Sequence, residues 1–227
     1  SVQDPPDDAR TNVLGTLMLA HVAGKIGVKK FIFTSTCGAL FSDEIRPPYS
    51  EAVPPCPVSP YGIAKRCAEM YLDYEHRTHG LPIVVLRLSN AYGPRQALRG
   101  EAGVISIFAR KMPHGEQVVI NGDGKNTRDY LYISDVVEAH MLAMTKSVTG
   151  VYHIGTGRQT DVNTLFRKMN KMIGGKMKEV HWSACEGEVA SSALDCRKAK
   201  RELGWTPKVS LEDGLAKTIA WFQQWKK

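Results

Sequence analysis

The chain has 227 residues, 43% hydrophobic and 23% charged, which is the make-up of a folded protein with one core or about one and a half domains, not of a disordered chain. No apolar run approaches the ~20 residues of a membrane span, and the polar, acidic start Ser1-Val2-Gln3-Asp4-Pro5-Pro6-Asp7-Asp8 does not read as a signal peptide. The net charge of +7 comes from scattered bases, dense only around 168–178 and at Lys226-Lys227 and without interleaved aromatics, so it argues for a solvated surface with a few bases for a small anion, and against a nucleic-acid partner.

The cysteines (Cys37, Cys56, Cys67, Cys185, Cys196) are odd in number with no C-x-x-C spacing, and the histidines include no H-E-x-x-H. That argues against a zinc centre or a disulfide framework and fits a reducing cytoplasm.

In chain order, Asp7 or Thr11 opens a predicted helix running to about Lys25, with Val13, Leu14, Leu17, Met18 and Val22 as its apolar stripe. Lys30–Ser35 is a short apolar run, expected as a strand buried on both faces. A Pro- and Ser-rich loop, Ser42–Ser59, leads into a helix ending near Gly80, and Ile83–Leu88 is a second buried strand. Helix, strand, helix, strand in this order implies a parallel α/β sheet with right-handed crossovers.

After Gly93-Pro94 the pattern changes. Gly103–Lys111 reads as helix, and Gln117–Ile120 and Asp129–Ile133 as strands around the turn Asn121-Gly122-Asp123-Gly124. Ser134-Asp135 is expected to cap a helix to about Lys146, followed by a strand at Val151–Ile154. Thr160-Asp161 caps another helix through Leu165, Met169 and Met172. Glu179–Trp182 reads as a strand and Cys196–Leu203 as a short helix stopped by Gly204. Ser210-x-x-Asp213 opens the last helix, ending at Trp221–Trp225. The four tryptophans and the methionines at 169, 172 and 177 read as packing residues, and Cys37, Cys56 and Cys67 as packing rather than nucleophiles.

The stretch with chemical content is Ser59-Pro60-Tyr61-Gly62-Ile63-Ala64-Lys65. Ser59 suits a helix N-cap and Pro60 the first helical position, which places Tyr61 and Lys65 one turn apart on one face. A free phenol, with a pKa near 10, is a poor base at neutral pH. An ammonium one turn away favours the phenolate and makes the pair a general base and acid. Alone, Y-x-x-x-K is equally a surface Tyr beside a surface Lys.

The surrounding motifs lift it above that. They are Asn12-Val13-Leu14-Gly15-Thr16, Phe33-Thr34-Ser35-Thr36, and Arg87-Leu88-Ser89-Asn90-Ala91-Tyr92-Gly93-Pro94-Arg95-Gln96. Further on come Gly122-Asp123-Gly124, Thr127-Arg128-Asp129-Tyr130, Ile133-Ser134-Asp135-Val136, Ile154-Gly155-Thr156-Gly157 and Leu203-Gly204-Trp205-x-Pro207. In this order and spacing the chain resembles the extended short-chain dehydrogenase/reductase family, and within it the NAD-dependent nucleotide-sugar epimerases of the UDP-glucose 4-epimerase type.

The resemblance implies the C-terminal part of a Rossmann-type doubly wound parallel sheet plus a small α/β substrate domain. Residues 1–93, with 133–155 returning to it, would form a partial dinucleotide-binding domain. Residues 94–132 and 156–227 would form the substrate domain. It also implies NAD as cofactor, a UDP-sugar or other nucleotide sugar as ligand, and a homodimer. Tyr61 would take the proton of the sugar 4-hydroxyl while hydride passes to NAD. Lys65 would lower the phenol pKa and hold the nicotinamide ribose beside Ser35. Thr36 matches the hydroxyl that bridges Tyr61 and substrate, and Asn12 the Asn of the preceding helix; a polar residue at a helix start accounts for Asn12 equally well. Asn90, Arg128 and Glu188 match nucleotide-diphosphate and ribose contacts. Ser192 falls where a small residue widens the sugar pocket, with tolerance of N-acetyl sugars as the consequence. No Arg adjoins Glu188, where the family places one. Cys37-Gly38 after Thr36, in place of an Asp-Glu pair, disfavours the dehydratases of the family.

The family's G-x-x-G-x-x-G phosphate loop has no counterpart here, and Gly155-Thr156-Gly157 lacks the spacing to replace it. By resemblance the chain begins about 80 residues into the family pattern, after its fourth strand, so the strand at Lys30–Ser35 would have an unpaired edge. A second copy, a rearranged N-terminal segment or a missing fragment is expected to cover it. Two functions remain open: an epimerase-like chain, or a silent truncated relative that binds a nucleotide sugar or a partner chain.

Overall fold

The structure is a computed structural model that describes residues 1–97, 102–183 and 189–224. The chain opens with α1 (Pro5–Ala9), capped by Asp4, whose Oδ1 accepts the Asp7 N–H at 3.0 Å. A π-turn at Arg10–Leu14 joins it to α2 (Gly15–Lys25). The start is thus earlier than Asp7 or Thr11. The expected apolar stripe of this segment is overturned. Ala20 and Ala23 are the buried residues of α2, while Leu14, Met18 and Val22 are exposed, Met18 at 69%. Small residues let α2 lie close on its neighbour, and its large side chains point outward.

β1 (Phe31–Thr36), α3 (Pro60–His79) and β2 (Ile83–Leu88) follow. Next come β3 (Asn90–Tyr92), α4 (Val104–Lys111), β4 (Ile120–Asn121), β5 (Thr127–Arg128), β6 (Tyr130–Tyr132) and α5 (Ile133–Thr145). The described chain closes with β7 (Gly150–Ile154), β8 (Thr160–Asp161), α6 (Val162–Met172), β9 (His181–Trp182) and α7 (Leu211–Gln224). The main sheet is parallel, in the order β1-β2-β7.

The unbroken run Ile83–Leu88 is the middle strand, as its apolarity requires. Ile83 and Val85 face α2 and α3, packing with Ala20, Ala68 and Leu72. Val84 and Leu86 face α5 and pack with Val136, Ala139 and Trp205. A separate apolar cluster, with Phe108, Phe166, Met169, Leu215 and Phe222, joins α4, α6 and α7.

β1 is an edge strand, and its burial alternates, with Thr34 exposed, so it is not buried on both faces as expected. No described strand pairs with its outer side, and α1 packs against α3. A rearranged N-terminal segment therefore does not cover it.

Three further expectations change. The hairpin around Asn121–Gly124 does not form: β4 pairs with β9, β6 with β3 and β5 with β8. Ser134-Asp135 is no cap. Helix α5 starts at Ile133, and the buried Asp135 accepts the N–H groups of Lys208 and Val209 at 3.0 and 3.1 Å. Trp182 is exposed rather than packed, whereas Trp205 is buried and donates its indole N–H to the Asp135 carbonyl at 2.9 Å. Trp225 lies outside the described residues.

Candidate active site

Helix α3 begins as its sequence dictates. The Ser59 hydroxyl accepts the Gly62 N–H at 3.2 Å, with Pro60 in the first turn. A Cβ on Gly62 would stand 1.9 Å from the Ala39 carbonyl oxygen, so only glycine lets the helix start press against the loop that follows Thr36. One turn on, Lys65 donates from Nζ to the Thr34 carbonyl at 3.1 Å, and Nζ lies 5.7 Å from the Tyr61 ring centroid and 4.8 Å from that of Phe33. Burial lowers the Lys65 pKa, and the charges of Asp8 and Glu69 pull it partly back. A cation is thus fixed beside a phenol at the end of an edge strand.

Thr36, the last residue of β1, opens onto a cleft of about 380 Å³ whose walls also carry Ser59, Ser89, Asn90 and Arg128. A second cleft, of about 430 Å³, has Asn90 and Arg128 in its wall too and extends past Gln96 to Val119 and Asn121. Asn90 is held by β3, its N–H donating to the Asp129 carbonyl at 2.9 Å. Arg128 stands on β5, which pairs antiparallel with β8. Ser192 is 2% exposed, its N–H donates to the Thr127 carbonyl at 3.1 Å, and its Oγ is 3.8 Å from where a Cβ on Gly38 would be. It therefore backs the wall behind Gly38.

Of the residues singled out by sequence, Thr36, Asn90 and Arg128 meet at one cleft, and Tyr61 and Lys65 stand on the helix whose cap lines it. Asn12 lies in the π-turn packed against α3, and its amide donates to Asp8 Oδ1 at 3.1 Å. Ser35 is buried, and its hydroxyl donates to Glu69 Oε1 at 2.7 Å; alternate residues of a strand face opposite sides, so it points away from the side that Thr36 presents. Glu188 lies outside the described residues.

Sequence reasoning missed Glu69. It receives Arg87 Nε and Nη2 at 2.9 and 2.6 Å, the Ser35 hydroxyl, and Arg66 Nη1 at 3.3 Å. Burial alone would raise its pKa, but the hydrogen bonds and charge of Arg87, with Ser35 and Arg66, hold it below the usual carboxylate range. An arginine inside a strand as apolar as Ile83–Leu88 was the available signal, since a buried charge needs a partner.

The loop Gly155-Thr156-Gly157 is likewise engaged from within. The buried Asp129 carboxylate accepts the N–H groups of Thr156, Gly157 and Leu194 and the Thr156 hydroxyl, at 2.6 to 3.3 Å. A Cβ on Gly155 would meet Asp129 Oδ2 at 2.6 Å. These donors already hold an anion, so they are no phosphate loop.

A family model described as "NAD dependent epimerase/dehydratase family" matches residues 1–155. The chain belongs to this family. It is 37% identical over 224 residues to a UDP-glucose 4-epimerase of Mycolicibacterium smegmatis, covering 98% of this chain and 72% of that one. Among solved structures, the UDP-glucose 4-epimerase of Thermotoga maritima with UDP-glucose is 49% identical with a TM-score of 0.96, over 99% of this chain and 73% of that one. The Thermus thermophilus UDP-glucose 4-epimerase in complex with NAD is 35% identical with a TM-score of 0.90, over 99% of this chain and 73% of that one. Like those epimerases, this family member has a parallel Rossmann-type sheet. Tyr61 and Lys65 form a donor-rich pair at the sheet edge, with a half-buried ammonium.

Proposed function

We propose that this chain is a UDP-sugar 4-epimerase-type protein that grips a nucleotide sugar across the two adjoining clefts. Thr36 and Ser192 bound the sugar end, Asn90 and Arg128 hold the diphosphate, and Glu188 and the larger cleft take the nucleoside. The observation that carries this reading is the convergence of Thr36, Asn90 and Arg128 around one cleft capped by the Tyr61 helix. Tyr61 is the proton acceptor for the sugar 4-hydroxyl, Thr36 orients that hydroxyl, and Lys65 stabilises the phenolate. Asn12 steadies the helix start against α3. NAD, when bound, supplies a hydride acceptor and donor.

In domain terms, residues 1–93 and 133–155 are the partial dinucleotide-binding part, and 94–132 and 156–227 the substrate part. The exposed Leu19 and Val22 on α2 and Ile26 just after it, with Met70, Tyr71 and Tyr74 on α3, support a homodimer, and the open side of β1 supports pairing along the sheet. The free cysteines Cys37, Cys56, Cys67 and Cys196 suit the cytoplasm. Among the described residues no helix is long and apolar enough to cross a membrane.

Calorimetry with UDP-glucose tests the reading. Binding is expected, weakened at least about tenfold by Arg128→Ala, because a charge-assisted contact to phosphate is lost. Absence of UDP-glucose binding, or an unchanged Kd in Arg128→Ala, removes it. Ser192→Tyr is expected to weaken UDP-N-acetylglucosamine more than UDP-glucose. A binding-only role is the second reading, favoured by the internal use of the Gly155–Gly157 donors. Weak NAD binding in the same instrument supports it, and low-micromolar NAD binding excludes it.

A further inference from the structure

The residues that would act on a sugar sit on three separate pieces: Tyr61 and Lys65 on α3, Thr36 at the end of β1, and Asn90 just beyond β2. One buried ion pair touches or adjoins all three. Arg87 of β2 is in register with Ser35 of β1 on one side and His153 of β7 on the other. Its guanidinium forks onto Glu69 of α3 at 2.6 and 2.9 Å, and Nη1 lies 3.3 Å from His153 Nε2. The His153 ring is held in turn at Nδ1, 3.0 Å from the Tyr49 carbonyl, and the His153 backbone N–H donates to Glu51 Oε1 at 2.8 Å. Glu69 also takes the hydroxyl of Ser35, the residue before Thr36. All of Ser35, Glu69, Arg87 and His153 are buried.

Glu69 stands one helical turn after Lys65 and two after Tyr61, so the three follow one gently turning stripe of α3. Ala68 and Leu72 pack this helix on the sheet through apolar surface, and Lys65 adds a single hydrogen bond to the Thr34 carbonyl. Apolar surface and one flexible lysine tolerate sliding and rotation. A forked guanidinium–carboxylate pair does not, because its two hydrogen bonds fix distance and angle together. Fixing register is the best-attested use of a buried ion pair.

We propose that Glu69 and Arg87 are positioning residues that set the axial and rotational register of α3 against the end of β1, and so hold Tyr61 and Lys65 at Thr36. This rests on the nucleotide-sugar reading above for what the site does, but the register itself is measurable without ligand.

The test replaces the pair as a unit, Glu69→Leu with Arg87→Met, which leaves the net charge near Lys65 unchanged and keeps apolar packing. Three readouts are taken on the whole chain: melting temperature, the titration of the Tyr61 ring followed by 13Cζ NMR with Tyr61→Phe as assignment, and UDP-glucose affinity by calorimetry. The expected result is a folded variant whose Tyr61 midpoint moves up by about one unit as Lys65 loses its placement, with UDP-glucose bound about tenfold more weakly. Arg87→Lys keeps the charge but not the fork, and is expected to move the Tyr61 midpoint in the same direction by less.

A Tyr61 titration unchanged in a folded double variant overturns the proposal and leaves the pair a packing feature. Should the double variant fail to fold, an unchanged titration in Arg87→Lys overturns it equally. Loss of UDP-glucose binding in the wild type would sink the functional reading alone, since the Tyr61 titration still reports register.

Discussion

Two buried carboxylates, 60 positions apart in sequence, are treated in opposite ways. Glu69 and Asp129 are both buried and both well supplied with hydrogen bonds. Among the described residues Asp129 is served by neutral donors, and burial, the largest influence, outweighs Thr156, Gly157 and Leu194 to raise its pKa. Glu69 suffers burial as well, yet Arg87 overrides it and the pKa falls. What separates them is a positive charge in contact, not the number of donors.

The signs of their pH dependence therefore differ. Glu69 has a folded pKa below its unfolded value, so its contribution is present above the ordinary carboxylate range and is lost as pH falls through the folded pKa. Asp129 has a folded pKa above its unfolded value. Its contribution is full below the unfolded pKa and is lost as pH rises through the folded one.

The sharpest way to break this contrast is Arg87→Met. It takes the buried, forked guanidinium from Glu69 and leaves only the partly exposed Arg66 and the Ser35 hydroxyl, and urea unfolding at pH 7 is expected to show a loss of about 3 kcal/mol. The same variant should regain stability as pH is lowered and Glu69 takes up a proton, the reverse of the wild-type trend; a loss below about 1 kcal/mol would show that the cation is not what matters.

Asp129→Asn comes next, at about 1–3 kcal/mol, because an amide NH2 replaces one acceptor among facing N–H groups. Its stability curve should lose the decline that the wild type shows as pH rises through the raised carboxyl pKa, and a decline that persists would assign that slope elsewhere. The smallest effect is expected for Ser35→Ala, about 0.5–1.5 kcal/mol for one neutral donor, since Arg87 keeps both of its bonds to Glu69. A cost for Ser35→Ala as large as that of Arg87→Met would abolish the distinction between charged and neutral partners.

Much of the fold was legible because local chemistry and tertiary need coincide. The strand Ile83–Leu88 lies where its unbroken apolar run demands, α3 starts at Ser59-Pro60 and stops at Gly80 in the left-handed conformation, and Ser210 and Asp213 cap α7 by the bonds their spacing suggests. What the sequence hid were pairings between distant segments. Nothing local tells β4 to choose β9, 61 residues on, over its neighbour, or tells α2 to bury alanines and expose Met18 and Leu19. At the site, the motif residues Thr36, Asn90 and Arg128 were readable one by one, and their meeting at one cleft required the chain to fold. The bond from Ser35 to Glu69 was equally hidden, because adjacency to Thr36 in sequence means the opposite face in a strand.

Asn90 and Arg128 belong to the wall common to both clefts. A molecule lying across that wall is clasped at its waist, leaving each extremity to its own chamber. Selectivity at either extremity then rests on separate sets of side chains, so one chamber is open to redesign for a new headgroup while the grip on the middle, and the fit of the opposite end, stay as they are.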